Sequence, residues 1–510
     1  MFLGIDIGTS GVKAVALDER GGVVATGVAA LTVQRPHPLW SEQHPDGWWD
    51  ATQAAVRAID PAVRRAVRGI AGQMHGAALL GEDDRPLRPA ILWNDGRSEA
   101  ECKALEAAVP DLHAIAGNLA MPGFTAPKLM WVRDHEPETF AAIRTVLLPK
   151  DEVRLRMTGE KVSDMSDSAG TLWLDVAARD WSDEILAATG LTREHMPRLV
   201  EGSAVSGILR AEVAEAWGME RVPVAGGGGD NAAGAAGVGV VEDGDALLSL
   251  GTSGVIFVAT RDFRPNPARA VHAFCHCLPG MWHQMAVHLS AAACIDWVAR
   301  LTGTSGAAEL FARAESVGPA CGPELFLPYL SGERTPHNDP QVRGGFLGLD
   351  HDTTPERLAQ AVLEGGAVAL ADGVEVLREA GTDLTRLSVI GGGARSRYWG
   401  QTLAAALNVE LVYAQGGEVG PALGAARLAQ LAVDGGDPAS VCTKLSTSHT
   451  IAPDPELVDR FAPKLAAFRA AYPDRTCDYV VSGERRVADV LDVIAAAGRA
   501  RRTVRAFKHT

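Results

Sequence analysis

Seven cysteines are spread over 510 residues. That number is too small, and odd, for a disulfide framework in so long a chain, and it fits a reducing compartment. Positive charge is also scarce: 48 Lys and Arg stand against 63 Asp and Glu, a formal net charge of −15. Such a surface repels phosphodiester backbones and anionic bilayers, so no nucleic-acid partner and no membrane partner are expected. A nucleotide is not excluded, because backbone N–H groups and a divalent cation neutralise phosphate locally. No run reaches the roughly 18 apolar residues that a bilayer span requires. The N-terminus lacks a basic region and a cleavage site, and Asp6 interrupts its first apolar run. No secretory signal and a cytoplasmic location are therefore expected. A Pro/Ser-rich linker is missing as well, and the polar break Glu242-Asp243-Gly244-Asp245 serves as the expected domain boundary.

What the chain has is glycine in specific places. Four glycines, Gly226 to Gly229, follow the apolar run Val222 to Val224 and lead into Asp230-Asn231 and a stretch of small residues ending at Gly237. Glycine lets a backbone approach an anion, and a helix start offers it unpaired N–H groups. Asp230 is placed at that start, as an N-cap or as a base or metal-holding acid beside a phosphate. A second glycine run, Gly391-Gly392-Gly393, follows the apolar run Leu387 to Ile390, and reads as a recurrence of the first.

A hairpin also recurs. Gly8-Thr9-Ser10-Gly11-Val12 and Gly251-Thr252-Ser253-Gly254-Val255 are the same five residues, each between two strand-like runs. The matched context argues duplication: two related α/β halves facing each other across a cleft, each offering a phosphate-holding turn. Asp6 ends the first strand beside the first turn, where an unpaired carboxylate calls for a metal or a donor. Lys13 reads as a solvent-facing strand lysine. His75 follows a strand and precedes Gly76, at a mouth position suited to a ligand hydroxyl. Helices are expected at Asp46–Ala58, Pro127–His135, Asp151–Met157, Thr354–Ala380 and Pro421–Ala432, and a hairpin over residues 77–93. The stretch from Asp164 to Gly170 reads as a loop with two solvated acids. The His272-Ala273-Phe274-Cys275-His276-Cys277 cluster resembles a metal site, but strand alternation puts its cysteines and histidines on opposite faces.

With these residues in view, the sequence resembles the FGGY carbohydrate kinases, and within them the xylulose-phosphorylating branch. The likeness runs from Met1 to about residue 470. It is carried by Gly4 to Lys13, Gly72-Gln73-Met74-His75-Gly76, Trp93-Asn94-Asp95-Gly96-Arg97, Gly123 to His135 with Lys128 and Trp131, Gly227 to Gly234, Leu250 to Val255 and Leu327 to Pro336. The resemblance implies a duplicated actin-like, ribonuclease-H-like α/β fold, with two domains flanking a nucleotide cleft: residues 1–243, which bind sugar, and 244–477, which bind ATP; the basic tail over 478–510 has no clear family counterpart. It implies ATP and Mg2+ as cofactors and D-xylulose as the acceptor, phosphorylated at its terminal hydroxyl; other ketoses or polyols (ribulose, fuculose, glycerol) are the alternative, and an ATPase clamp a remoter one. Asp230 is the implied general base. Asp6, with Asp230, is the implied Mg2+-organising acid. Met74, His75 and Asn231 are implied sugar contacts. Gly8, Thr9, Ser10 and Gly11, with Gly251 and Thr252, are implied phosphate turns. Gly392, Gly393 and Ala394, with Arg397 nearby, are the implied adenosine shelf, and Arg397 departs from the amide or acid usual there. Family members are often dimers, so a homodimer is expected. Glu152 replaces a common aromatic residue, and Arg357 an acid or amide.

Overall fold

The computed structural model describes residues 1–64, 71–72, 74–320, 322–414 and 420–472. Gln73 and the 478–510 tail, both singled out above, lie outside the described residues.

The first sheet grows from the glycine-punctuated N-terminus. Strands β1 (Phe2–Ile7), β2 (Gly11–Leu17) and β3 (Val23–Ala30) form an antiparallel meander. Two short strands, β4 (Ala71–Gly72) and β5 (Gly228–Gly229), add in parallel on the other side of β1, giving the order β5-β4-β1-β2-β3. Helix α1 (Pro45–Arg57) covers β2 and β3. Its buried Trp48, Ala51, Thr52, Ala55 and Val56 recur at helical spacing, so one face is apolar. It lies so close that a Cβ on Gly27 of β3 would stand 2.0 Å from Ala55 O. Helices α2 (Pro149–Thr158) and α3 (Met165–Ala169) lie beside this sheet's glycine strand.

Helix α4 (Asp230–Val238) leads on to the second sheet. Strands β6 (Ala246–Leu250), β7 (Gly254–Thr260), β8 (His272–Cys275), β9 (Trp282–His288), β10 (Arg386–Ile390), β11 (Glu410–Ala414) and β12 (Thr447–Ile451) take the order β8-β9-β7-β6-β10-β11-β12. Its inner five strands repeat the first sheet: β6, β7 and β9 form the antiparallel meander, and β10 and β11 run parallel to β6 and to each other. The long helix α5 (Pro355–Glu379) is buried along most of its length, with Thr354 capping its start, and α6 (Arg397–Leu407) packs against it. The chain is α/β and duplicated, as its repeated hairpin leads one to expect.

Topology corrects the reading of the glycine runs. Gly391–Gly393 follows β10, whose counterpart in the first half is β4, so it corresponds to the Met74-His75 segment. The Gly226–Gly229 run belongs with β5, whose counterpart is β11. The two runs are therefore not copies of one another.

The halves are laced together by helices. Helix α7 (Gly420–Asp434) lies in sequence between β11 and β12 of the second sheet but packs on the first: a Cβ on Gly4 of β1 would sit 1.7 Å from Ala422 O. The alanine face of α4 (Ala232, Ala235, Ala236) shares an apolar cluster with Leu247, Phe257 and Ala259 of the second sheet. The two helices cross in backbone contact, with the Cβ position of Gly424 only 1.6 Å from Ala233 O. Small residues permit that crossing, which is the structural use of the Gly/Ala run after Asp230.

Some local readings differ. The expected 77–93 hairpin is present, with antiparallel bridges Ala77–Ile91 and Leu80–Pro86 and Leu87 N donating to Leu79 O (2.8 Å), but its arms also pair outward: residues 78–80 with 145–147, and 90–91 with 42–43. Residues 165–169 are helical rather than a loop. Among the described residues, no helix is long and apolar enough to cross a membrane.

Candidate active site

The carboxyl ends of the parallel strands converge on one region, as open α/β sheets dispose their ligand loops. Register sets the first three. Asp6 of β1 lies opposite Ala71 of β4, which lies opposite Gly228 of β5; the next row is Ile7, Gly72 and Gly229. Asp230 follows at once. The N-cap of α4 is Gly229, so Asp230 is the first helical residue and not the cap that sequence allows.

Electrostatics tie the two acids together. Burial, with the neighbouring Asp230 charge adding to it and Lys13 opposing both, raises the Asp6 carboxyl to about 7. Asp6 Oδ1 is buried with no hydrogen-bond partner. Burial also raises Asp230, against the bonds its Oδ1 accepts from Asn231 N (2.7 Å) and Nδ2 (2.9 Å). An orphaned buried carboxylate beside a second one suits a hard cation that keeps water or phosphate oxygens as its remaining ligands. The described residues hold no group of three or more His, Cys, Asp or Glu side chains that could by themselves cage a metal. The donor set thus fits a hard divalent cation that takes most of its ligands from elsewhere, and Asp6 and Asp230 are the side chains that could hold it.

A cavity of about 320 Å³ opens beside Asp230 and Asn231. Met74 and His75 form part of its wall. His75 has φ +68, a left-handed backbone that costs a non-glycine residue strain. The surroundings fix it. Lys128, wholly buried, donates to His75 O and to Gly123 O, both at 2.7 Å, and Thr125 Oγ1 donates to His75 O at 3.2 Å. His75 Nδ1 lies 2.5 Å from Gly170 O. A carbonyl only accepts, so Nδ1 carries the proton and Nε2 presents a lone pair. Burial, with Lys128 adding to it, lowers the His75 pKa to about 3, so the ring is neutral. Lys128 itself is lowered to about 7 by burial.

The second half closes the cavity with Ser249, Ser253, Val255, His272, Phe274 and Arg334. Aligned on the repeated hairpin, Ser249 occupies the place of Asp6, two residues before the first glycine. The duplication kept an acid in one copy only. His272 and Phe274 lie two apart on β8 and so share a face. Cys275 and Cys277 turn away, their thiols directed at Val176 O and Ala232 O. Strand alternation separates only part of this cluster, since β8 ends at Cys275 and Cys277 Sγ lies 3.5 Å from His276 Nδ1. Among the described residues, no three of its side chains converge as a metal site.

The glycine run before Asp230 is braced by buried charge. Lys150 Nζ lies 2.5, 2.8 and 3.1 Å from carboxylate oxygens of Asp151, Asp164 and Asp167, all fully buried. The loop-solvated reading of Asp164 and Asp167 is thus wrong: their cation is the Lys150 ammonium, supplied from another helix. Arg154, paired to Asp151, donates to Gly226 O. Ser166 Oγ donates to Asp164 Oδ2 (2.5 Å) and accepts from Gly229 N (3.1 Å). A Cβ on Gly229 would meet Met74 Cγ at 2.8 Å, so the run is held on both sides. Glu152 is also buried and pairs with Arg156 (2.6 Å).

The two repeated turns close differently: Gly8 N donates to Gly11 O, three residues on, and Gly251 N to Ser253 O, two residues on, each at 3.0 Å. Trp93, at the cavity wall, donates from Nε1 to Thr9 Oγ1 (3.0 Å). Gly391–Gly393 lies against the end of β6: Cβ atoms on Gly391 and Gly393 would meet Leu250 at 2.5 and 2.9 Å. That brings the shelf beside the Gly251-Thr252 turn. Gly392, Gly393 and Ala394 form a 3-10 turn, and exposed Arg397 begins α6; none of them lines the cavity. Sequence reading therefore found Asp230, Asn231, Met74 and His75 on one cavity. It gave no role to Trp93, Phe124 or Arg334, although all three stand in motifs it quoted, and it weighed His272 only as a metal ligand.

Comparison with known proteins places this geometry. A model of the FGGY family of carbohydrate kinases, N-terminal domain, matches residues 1–237, and the corresponding C-terminal domain model matches residues 246–433. The chain is 56% identical over 476 residues to a xylulose kinase of Escherichia coli strain K12, covering 92% of this chain and 98% of that protein. A crystal structure of a xyloylose kinase from Brucella ovis superposes with a TM-score of 0.90 at 50% identity, over 92% of this chain and 98% of that one. A xylulose kinase from Rhodospirillum rubrum gives 0.87 at 29% identity over the same shares.

Proposed function

The chain belongs to the FGGY family of carbohydrate kinases, and we propose that it transfers the γ-phosphoryl group of ATP to the terminal hydroxyl of D-xylulose. One observation carries the reading: a raised, desolvated carboxylate, Asp230, faces a small cavity whose polar wall includes a neutral histidine, His75, an amide, Asn231, and a guanidinium, Arg334. Two of the relatives named above, from Escherichia coli and Brucella ovis, at 50% identity or more over 92% of this chain, support the choice of sugar.

The roles follow from the atoms. Asp230 accepts the proton of the attacking hydroxyl late in an in-line displacement, since a loose transition state needs little nucleophile activation. His75 Nε2, an acceptor only, takes a hydrogen bond from a sugar hydroxyl, while Met74 packs on the carbon chain and Asn231 adds a polar contact. The N–H groups of the Gly8–Gly11 and Gly251-Thr252 turns hold the phosphates, and the Gly392–Ala394 shelf, with Arg397, receives the adenosine. Asp6, with Asp230, holds Mg2+, which supplies charge neutralisation on the phosphate oxygens. Positioning and charge stabilisation lower most of the barrier. Closure of the halves about the α4–α7 crossing excludes water and suppresses ATP hydrolysis.

The test is ADP release by purified protein with ATP, Mg2+ and a panel of D-xylulose, L-ribulose, L-fuculose and glycerol. D-xylulose is expected to give the highest kcat/KM. A stronger response to another acceptor replaces the sugar; no response to any of them removes the kinase reading.

A further inference from the structure

The cavity wall carries a guanidinium that no carboxylate answers. Arg334 lines the cavity, and among the described residues no Asp or Glu side chain forms an ion pair with it. Glu333 Oε1, its sequence neighbour, instead accepts from the Arg334 and Leu289 backbone N–H groups, both at 2.8 Å. Burial presses the Arg334 guanidinium below its ordinary range, with Glu333 opposing. An arginine in such a place needs oxygen acceptors to offset its lost hydration.

Its side-chain partner is His272, whose Nε2 lies 3.3 Å from Arg334 Nη1. The tautomer of that histidine is set from the other half of the molecule. Asn118 spends its amide hydrogens on two carbonyls, Ala116 O (2.8 Å) and Ala273 O (2.9 Å). Its Oδ1 therefore accepts, and His272 Nδ1, 2.9 Å away, donates to it. His272 Nε2 is left as a lone pair, and it accepts from Arg334. The relay Asn118–His272–Arg334 crosses between the two halves and leaves the remaining guanidinium N–H groups for the cavity.

The cavity is thus polarised. Asp230 and His75 Nε2 offer lone pairs, which call for hydroxyl protons. Arg334 offers only donors, which call for an oxygen lone pair. The same wall carries the apolar side chains of Phe124, Phe274, Met285 and Val287, with the Ser249 and Ser253 hydroxyls also on the lining. A carbonyl oxygen meets Arg334 with lone pairs alone, whereas a hydroxyl must also find an acceptor for its hydrogen. We propose that Arg334 is a specificity-determining residue that donates to the carbonyl oxygen of an open-chain ketose, with Asn118 and His272 as the positioning residues that aim it. The proposal rests on the ketose-kinase reading above and adds which end of the ketose faces the second half.

The experiment compares kcat/KM for D-xylulose with those for xylitol and D-arabinitol, its two C2 alcohols. Wild type is expected to favour the ketose, and Arg334→Gln to shrink that preference at least about tenfold, as for other sites that leave a polar group unpaired, with the ATP KM little changed. His272→Phe and Asn118→Ala should raise the ketose KM more than they lower kcat, since they disorder a binding group. Should Arg334→Gln not fold, as judged by thermal unfolding, Arg334→Lys carries the test: it keeps the charge, loses the planar fork, and should also shrink the preference. Equal losses on ketose and alcohols, or a wild type without preference, overturn the proposal, as does a fall in kcat with a raised ATP KM, which would put Arg334 on the phosphates. Wild type inactive on D-xylulose would instead sink the ketose-kinase reading.

Discussion

The indole N–H of Trp93 donates to the hydroxyl of Thr9 at 3.0 Å, joining the cavity wall to the first of the two repeated glycine turns across 84 residues of sequence. Trp93 is 44% exposed, so its ring is available to the cavity while its nitrogen is engaged. Trp93→Phe keeps the ring and removes the donor. Turnover should fall about three- to tenfold, the worth of roughly 1 kcal/mol for one hydrogen bond, and both the ATP and sugar KM should rise. Steady-state kinetics with each substrate varied checks this; an ATP KM that does not move means the link carries no coupling.

Asp230→Asn should lower kcat by about 10³-fold or more, on the order of 4 kcal/mol. The amide keeps the shape of the side chain, so ATP affinity by calorimetry should stay near the wild-type value. Near-normal turnover would remove Asp230 as the base.

His75 is held neutral, its pKa lowered to about 3. Its acceptor role should therefore be unaffected between about pH 5 and 8, where an ordinary imidazole titrates. The sugar KM should show no inflection from His75 in that window. His75→Ala should raise the sugar KM more than the ATP KM. A wild-type inflection near pH 6.5 that the variant lacks would show a charged His75 and contradict the assignment.

Asp6 is a costly carboxylate without a cation. Its folded pKa is raised to about 7 from an ordinary 3.8. The stability it contributes is fully present below about pH 4 and is lost as pH rises through 7. Asp6→Asn without divalent cation should thus be more stable than wild type at pH 8, by about 1–3 kcal/mol, the cost of an unanswered buried group, and should show no such gain at pH 4. Denaturant titration at the two pH values decides it. A variant less stable than wild type at pH 8 would mean that Asp6 has a partner after all.

The α4–α7 crossing predicts a contrast between two glycines. A Cβ at Gly424 would stand 1.6 Å from Ala233 O, whereas at Gly47 in α1 the nearest atom is 3.9 Å away. Gly424→Val should abolish folding or cost more than about 3 kcal/mol. Gly47→Ala should stabilise by about 0.5–1 kcal/mol, as alanine does in helices. Thermal unfolding of the pair checks both signs.

The sequence alone determined the repeated hairpin, the strands on either side of it, the helices at Pro45–Arg57 and Pro355–Glu379, and the acids at Asp6 and Asp230. Each of these has a local signature: a glycine turn, an alternating run, a 3.6-residue apolar stripe or a carboxylate where apolar residues surround it. Tertiary structure decided the rest. The Lys150 cluster is invisible locally, because Asp164 and Asp167 look like loop acids until another helix delivers the ammonium between them. The left-handed His75 needs Lys128 and Gly170, and the aim of Arg334 needs His272 and Asn118, partners scattered across the chain. Periodicity records which face of an element is buried, but it does not record which distant polar group meets it there. The cost of burying charge makes such meetings obligatory, and only the folded chain reveals who attends.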